Sequence, residues 1–311
     1  MRIIFFGTPE FAIPSLEALI NSSHEVIAVV TGQDKMVGRG MHLLSTPVKN
    51  YAIMKRLPVL TPEDLNDVNF INHLKVLNSD LFIIVAFRIL PVSVFSLPPK
   101  GSINLHGSLL PKYRGAAPIN WAIINGDTET GLTTFFLQKR VDTGDIILTE
   151  KVIIGEHETA GDLHEKMCTL GAKLLLKTID LIDRNEVKPI KQEGTATLAP
   201  KITKELCHID WNNNVRSIYN LIRGLSPYPR AFSILADEQI KICSARIDDS
   251  YTLSENDIPG KIVCIDKRGK LLVAARDGVL SIEEIQPESR CRMSISEFLR
   301  GHTLKPGTIL R

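Results

Sequence analysis

No apolar run in these 311 residues approaches the ~20 needed to cross a bilayer, which excludes a helical membrane span. The opening run, Ile3–Phe6 after Met1 and Arg2, stops at Gly7 with no small-residue cleavage site. It reads as a buried first strand rather than a signal peptide. Cysteine is sparse and unpatterned. Cys168, Cys207, Cys243, Cys264 and Cys291 form no Cys-x-x-Cys pair and no Cys/His grouping, which argues against a zinc site or any other resident metal. An odd, scattered set fits unpaired thiols in a reducing, cytoplasmic compartment. An excess of one charge is missing too: 37 Lys and Arg face 35 Asp and Glu. The chain therefore does not coat nucleic acid by bulk electrostatics, and an RNA substrate would need local basic features. Phosphate-cradling glycines are also lacking. Gly7-Thr-Pro-Glu-Phe stands where a dinucleotide fold carries G-x-G-x-x-G but supplies one glycine of the three, and no G-x-x-x-x-G-K-[ST] loop occurs. NAD and FAD are not expected, and the sequence has no internal repeat.

What is present first is an alternation of strand and helix. Ile3–Phe6, Val26–Thr31 and Leu81–Ala86 are continuous apolar runs, as strands buried on both faces are. Between them, Glu10–Asn21 and Pro62–Leu77 carry apolar residues at helical spacing. Thr130–Leu137 and Ile146–Ile154 read as later strands and Thr159–Ile182 as a long helix. This pattern predicts an α/β domain with a doubly wound, mostly parallel sheet. From Asp183 to Glu205 the chain turns polar, with two prolines and a glycine, as an exposed linker would. A helix near Asn213–Arg223 follows, then short runs at Ala231–Leu235, Ile240–Ala245, Lys261–Ile265, Leu271–Ala275 and Val279–Gln286. These predict a small β-barrel or sandwich. The expected division is a catalytic domain over 1–186, a linker over 187–205 and a second domain over 206–311.

Chemistry concentrates between Gly101 and Asn125, GSINLHGSLLPKYRGAAPINWAIIN. Asn104 and His106, two apart on a short strand, share one face. The loop after them would lie beyond the carboxyl end of a parallel strand, where open α/β sheets bind ligands. Histidine works as acid or base near neutrality, and an asparagine amide donates to an oxyanion without titrating. The alternative is a turn-capping Asn104 and a satisfied interior His106. Asp142, in Val141–Ile146 (VDTGDI), either faces a cleft or makes an ordinary Asx-type turn. Asp-Thr-Gly is also the aspartic-protease triplet, but Asp145 follows the glycine and no second copy exists. Thr31–Pro47 is a long loop with Gly38-Arg39-Gly40 at its tip, a mobile basic feature or a merely solvated one.

Four stretches carry a resemblance: FFGTPEFA at Phe5–Ala12, INLHGSLLPKYRGAAPINWAI at Ile103–Ile123, the VDTGDI turn, and GLSPYPRAF at Gly224–Phe232. Over essentially its full length the sequence resembles the methionyl-tRNA formyltransferase family. The resemblance implies a doubly wound formyltransferase domain followed by an OB-like β-barrel that binds tRNA. It implies formyl transfer from 10-formyltetrahydrofolate to methionyl initiator tRNA by a cytoplasmic, metal-free monomer. Catalysis falls to Asn104, His106 and Asp142, and Ser108, Leu109, Leu110 and Pro111 would form part of the folate site. Arg39, in the loop resembling one that wedges into the acceptor stem, and the linker lysines Lys201 and Lys204 would contact tRNA.

The implied mechanism needs no covalent enzyme intermediate. The neutral aminoacyl amine attacks the formyl carbon on N10, Asn104 and His106 hydrogen-bond the developing oxyanion, Asp142 orients His106 and relays a proton from the amine, and N10 is protonated before tetrahydrofolate departs. The same three residues would serve a nucleotide-sugar formyltransferase or a formate-releasing hydrolase. A non-catalytic RNA-binding relative is the rival from another class.

Overall fold

The computed structural model describes residues 1–37, 42–266 and 270–311. The chain divides into two compact units. One comprises Met1–Gly115, Thr130–Ile153 and His164–Ala199, the other Ala116–Glu129, Ile154–Leu163 and Pro200–Arg311.

Strands of the first unit are β1 (Arg2–Gly7), β2 (Glu25–Val30), β3 (Lys35–Val37), β4 (His42–Leu44), β5 (Val59–Leu60), β6 (Leu81–Val85), β7 (Ser102–His106), β8 (Arg114–Gly115), β9 (Glu129–Phe136), β10 (Ile146–Ile153) and β11 (Leu198–Ala199). Seven of them form one sheet in the order β10-β9-β7-β6-β1-β2-β5. β1 pairs in parallel with both β2 and β6, and β5 and β7 extend the parallel part on either side. β9 joins β7 antiparallel. From β1 the chain moves one way to β2 and later returns to β6 on the other side. The strand order therefore reverses at β1, and in sheets of this kind the carboxyl edge at such a reversal is where ligands bind.

The apolar runs are continuous because both faces are covered. Ile4, Phe6, Ala28, Val30, Phe82 and Ile84 pack with Leu65, Phe70 and Leu74 on one face. Ile3 and Phe5, pointing the other way, are equally inaccessible. Each such side chain contributes roughly 1.5–3 kcal/mol on burial. The expected helix over Pro62–Leu77 is shorter than its apolar pattern, running Val68–Leu77. Asp67 caps it, accepting from the N–H groups of Asn69 and Phe70, while Asp64 turns the preceding residues by accepting from the Asn66 N–H. The long loop after β2 carries the hairpin β3–β4. Its base is pinned by the Thr31 and Thr46 hydroxyls, 2.7 Å apart, and by Lys49 Nζ, which donates to both Asp34 carboxylate oxygens.

In the second unit the strands are β12 (Ala231–Leu235), β13 (Glu238–Ile247), β14 (Ile262–Ile265), β15 (Leu271–Ala274), β16 (Val279–Pro287) and β17 (Met293–Ser294). Every pairing is antiparallel, in the order β12-β13-β16-β15-β14, with β17 added on β16. The register shifts between Ile242 and Ala245, which bends β13. The C-terminal segment then joins the two edge strands. Beside β14, Ile262 N–H donates to the Thr308 carbonyl and Leu310 N–H to the Gly260 carbonyl, both at 2.8 Å. Beside β12, Arg311 and Ile234 exchange backbone hydrogen bonds at 2.9 and 2.6 Å. The ring of backbone pairing closes around Trp211, Ile218, Ile242, Val273 and Leu280, among other buried apolar residues. This is the small barrel expected from the short, closely spaced strands. Helix Pro118–Ile124 packs on helix Val215–Gly224 in the same unit. They approach closely at Gly224, where a Cβ would come within 2.6 Å of Ile124.

Candidate active site

β7 brings its polar residues to the carboxyl edge of the sheet. Asn104 lies in register with Ile84 of the parallel β6, so both side chains share a face, and His106 follows on that face two residues on. The Asn104 amide has no hydrogen-bond partner among the described residues.

His106 is 6% exposed. Its Nε2 lies 2.8 Å from the Tyr113 carbonyl oxygen. A carbonyl can only accept, so Nε2 carries the proton and donates, and in the neutral ring Nδ1 holds the lone pair. Nδ1 faces Asp142, with Oδ2 3.9 Å away. That separation exceeds a hydrogen bond.

Asp142 sits in a turn fixed from four sides. Its φ of +53° is left-handed, which Asp tolerates better than most residues. Oδ2 accepts from the Gly115 N–H at 2.9 Å. Thr143 Oγ1 donates to the Arg140 carbonyl. Gly144 lies so close to β9 that a Cβ would stand 1.6 Å from the Phe136 carbonyl oxygen. Gln192 Nε2 donates to the carbonyls of both Asp142 and Gly144 at 2.9 Å.

The loop from Ser108 to Pro111 is held from below by Thr133 of β9. Thr133 Oγ1 donates to the Ser108 carbonyl at 2.7 Å and accepts from the Leu110 N–H at 3.2 Å. Ser108 is fully buried, and its hydroxyl donates to the Lys112 carbonyl. Leu109 packs over Gly131, where a Cβ would meet Leu109 Cδ2 at 2.5 Å. Tyr113 is left-handed, with φ +57°. Thr197 secures it, its Oγ1 accepting from the Tyr113 N–H and its carbonyl from the Arg114 N–H.

The structure thus brings His106, Asp142 and the Ser108–Pro111 loop together, with Asn104 beside them on β7. Lys201 and Lys204 are exposed and belong to the second unit. Arg39 lies outside the described residues. Among the described residues no group of three or more His, Cys, Asp or Glu side chains is placed to hold a metal ion. Sequence reading missed Thr133, Gln192 and Thr197, which hold the site's loops. Gln192 and Thr197 lie in the polar stretch read as a linker, and that stretch contributes β11, paired in parallel with β8.

A parallel sheet with polar residues at its carboxyl edge, joined in one chain to an antiparallel barrel, defines a class. Residues 1–179 match the family described as formyl transferase, and residues 201–303 match its C-terminal domain. The chain belongs to the formyl transferase family. At 46% identity over 312 residues it is similar to the methionyl-tRNA formyltransferase of Alkaliphilus oremlandii, covering 100% of this chain and 99% of that protein.

Among solved structures, the sugar 3N-formyl transferase WlaRD, crystallised with dTDP and 5-N-formyl-THF, has a TM-score of 0.67 at 22% identity, covering 94% of this chain and 99% of that one. A variant of HypX from Aquifex aeolicus gives 0.67 at 18% identity over 98% of this chain. The chain spans about half of that longer protein, 49% of its length. At these identities both structures speak for the fold.

Proposed function

We propose that this enzyme transfers the formyl group of 10-formyltetrahydrofolate to the amino group of methionyl initiator tRNA in the cytoplasm, acting as a monomer. The observation that carries the reading is the 46% identity to a methionyl-tRNA formyltransferase along the entire chain, second unit included. No helix of the described residues is long and apolar enough to cross a membrane.

The residues suit a folate-borne formyl group. The Asn104 amide has no protein partner among the described residues, and His106 and Asp142 stand near it. The folate supplies an activated formyl carbon. Around that carbon, Asn104 Nδ2 donates to the formyl oxygen as negative charge develops on it, and His106, whose Nε2–H is held by the Tyr113 carbonyl, donates through Nδ1 once that nitrogen has taken a proton. The amine nitrogen bonds to the formyl carbon, and Asp142, its carboxylate toward His106 Nδ1, takes the proton that the amine sheds and passes it to Nδ1. The C–N10 bond then breaks, and that proton goes to N10 as tetrahydrofolate leaves. Ser108–Pro111 would shape one wall of the folate site mainly through its backbone, since the Ser108 hydroxyl is already spent on Lys112. Arg39, Lys201 and Lys204 would contact tRNA phosphates, which position the substrate without reading its sequence.

The test supplies 10-formyltetrahydrofolate with either methionyl initiator tRNA or a nucleotide-sugar amine. Formylation of the tRNA alone is expected. Formylation of the sugar alone would keep the three catalytic residues and overturn the acceptor. Formate release with neither acceptor would point to the hydrolase.

A further inference from the structure

We propose that Gln192 is a positioning residue for this reaction, clamping the turn that presents Asp142. The inference rests on the reading above, in which Asp142 serves His106.

The side chain of Gln192 is used at both ends. Nε2 donates its two hydrogens to the Asp142 and Gly144 carbonyls, each at 2.9 Å. Oε1 accepts from Arg114 Nε at 3.2 Å and from its terminal nitrogen at 2.6 Å. The guanidinium can only donate and the two carbonyls can only accept, so the amide has one workable orientation. One residue thereby ties the turn bearing Asp142 to the segment bearing Arg114. Gly115, next to Arg114, is the residue whose N–H holds the Asp142 carboxylate. Backbone and carboxylate of Asp142 are both referenced to the same short stretch of chain.

Gln192 is itself held. Ile190, two residues before it, exchanges both backbone hydrogen bonds with Ile146 at 2.8 and 2.9 Å. Thr197, five residues after it, takes the N–H groups of Tyr113 and Arg114, and β11 then pairs with β8. This strap runs from the start of β10 to the loop that receives the His106 proton donor. Its components all lie in the first unit. Glutamine is the residue type such a clamp requires. Glutamate would keep the acceptor for Arg114 but place a second acceptor against two carbonyls. Leucine would fill the space and leave those carbonyls and the guanidinium without their partner.

The test compares Gln192→Leu and Gln192→Glu with wild type, in steady-state kinetics with both substrates and in amide hydrogen exchange over residues 139–145. The expected result is a kcat at least tenfold lower in both variants. The KM for 10-formyltetrahydrofolate should stay within about threefold, and exchange in the turn should quicken. A residue important only for global stability would instead lower the melting temperature and leave kcat per folded molecule unchanged. If Gln192→Leu fails to fold, Gln192→Glu carries the comparison. A kcat within twofold of wild type in the folded variants, or unchanged exchange in the turn, overturns the inference. Absence of transfer by the wild-type enzyme would instead overturn the functional reading, and the exchange measurement would still report whether Gln192 holds the turn.

Discussion

Nε2 of His106 lies 2.8 Å from the carbonyl oxygen of Tyr113, so the ring's outer proton is committed to the backbone and its other nitrogen is turned toward Asp142. This separates two tasks. The Tyr113 carbonyl sets the tautomer and angle of the ring, and in the proposed reaction the Asp142 carboxylate is left facing the second nitrogen. A left-handed Tyr113 is what points that carbonyl inward.

Asn104→Ala and His106→Ala should each lower kcat by about a hundredfold or more, the usual consequence of losing one oxyanion donor. Folate affinity should be largely retained. Asp142→Asn keeps an oxygen for the Gly115 N–H but presents a neutral group to His106, and should likewise lower kcat with little change in folate binding. Equilibrium titration with folate beside single-turnover rates separates the two effects. Near-normal turnover in all three variants would remove the proposed mechanism.

Gly144→Ala should destabilise the enzyme by roughly 2 kcal/mol or more, at or above the upper part of the overpacking range, because the new methyl would meet backbone rather than a movable side chain. Urea unfolding at matched m-values reads this directly. A variant as stable as wild type would show that the turn can relax away from β9.

The lysine pair at the start of the second unit's main segment offers a different readout. With Lys201 and Lys204 both changed to Ala, the KM for tRNA should rise and the log–log salt dependence of tRNA binding should flatten by about one unit per lost phosphate contact. Unchanged salt dependence would remove these lysines from the interface.

Asp257 gives the barrel a pH-dependent anchor. Its carboxylate accepts from the Ser254 hydroxyl at 2.7 Å and the Ser254 N–H at 2.9 Å, and pairs with Lys261 at 3.2 Å. These contacts, the Ser254 hydroxyl bond first, hold its pKa well below the usual carboxylate range. A depressed folded-state pKa stabilises above the unfolded value of roughly 3.9, and that stability fades as pH falls toward the folded value. Asp257→Asn should therefore lower the melting temperature at pH 7, with the gap to wild type narrowing below about pH 4. A gap independent of pH would mean that charge is not what the asparagine removes.

The large elements were legible where burial alone decides the pattern. The run LFIIV is buried at every residue, and continuous apolarity of that kind has few other homes in an α/β chain. The two-residue step from Asn104 to His106 likewise needed only strand geometry. Sequence pattern overran the helix ending at Leu77, because Leu65 falls in step with the apolar periodicity while Asp64 and Asp67 settle the backbone locally. It assigned no element to helix Pro118–Ile124, whose 7 residues are too few to show a helical period. Gln192 was invisible for a different reason. Its carbonyl partners lie 50 and 48 residues earlier in the chain, and a bond from a side chain to distant backbone leaves no mark on either sequence neighbourhood.

Closure of the barrel by Thr308–Arg311 has a consequence for synthesis. During translation the first unit's sheet has all of its strands once residue 153 is made, but β12 and β14 keep bare edges until Arg311 has emerged from the ribosome. The second unit thus cannot close its barrel before Thr308–Arg311 are available, and until then its two open strands are the surfaces a chaperone would have to shield.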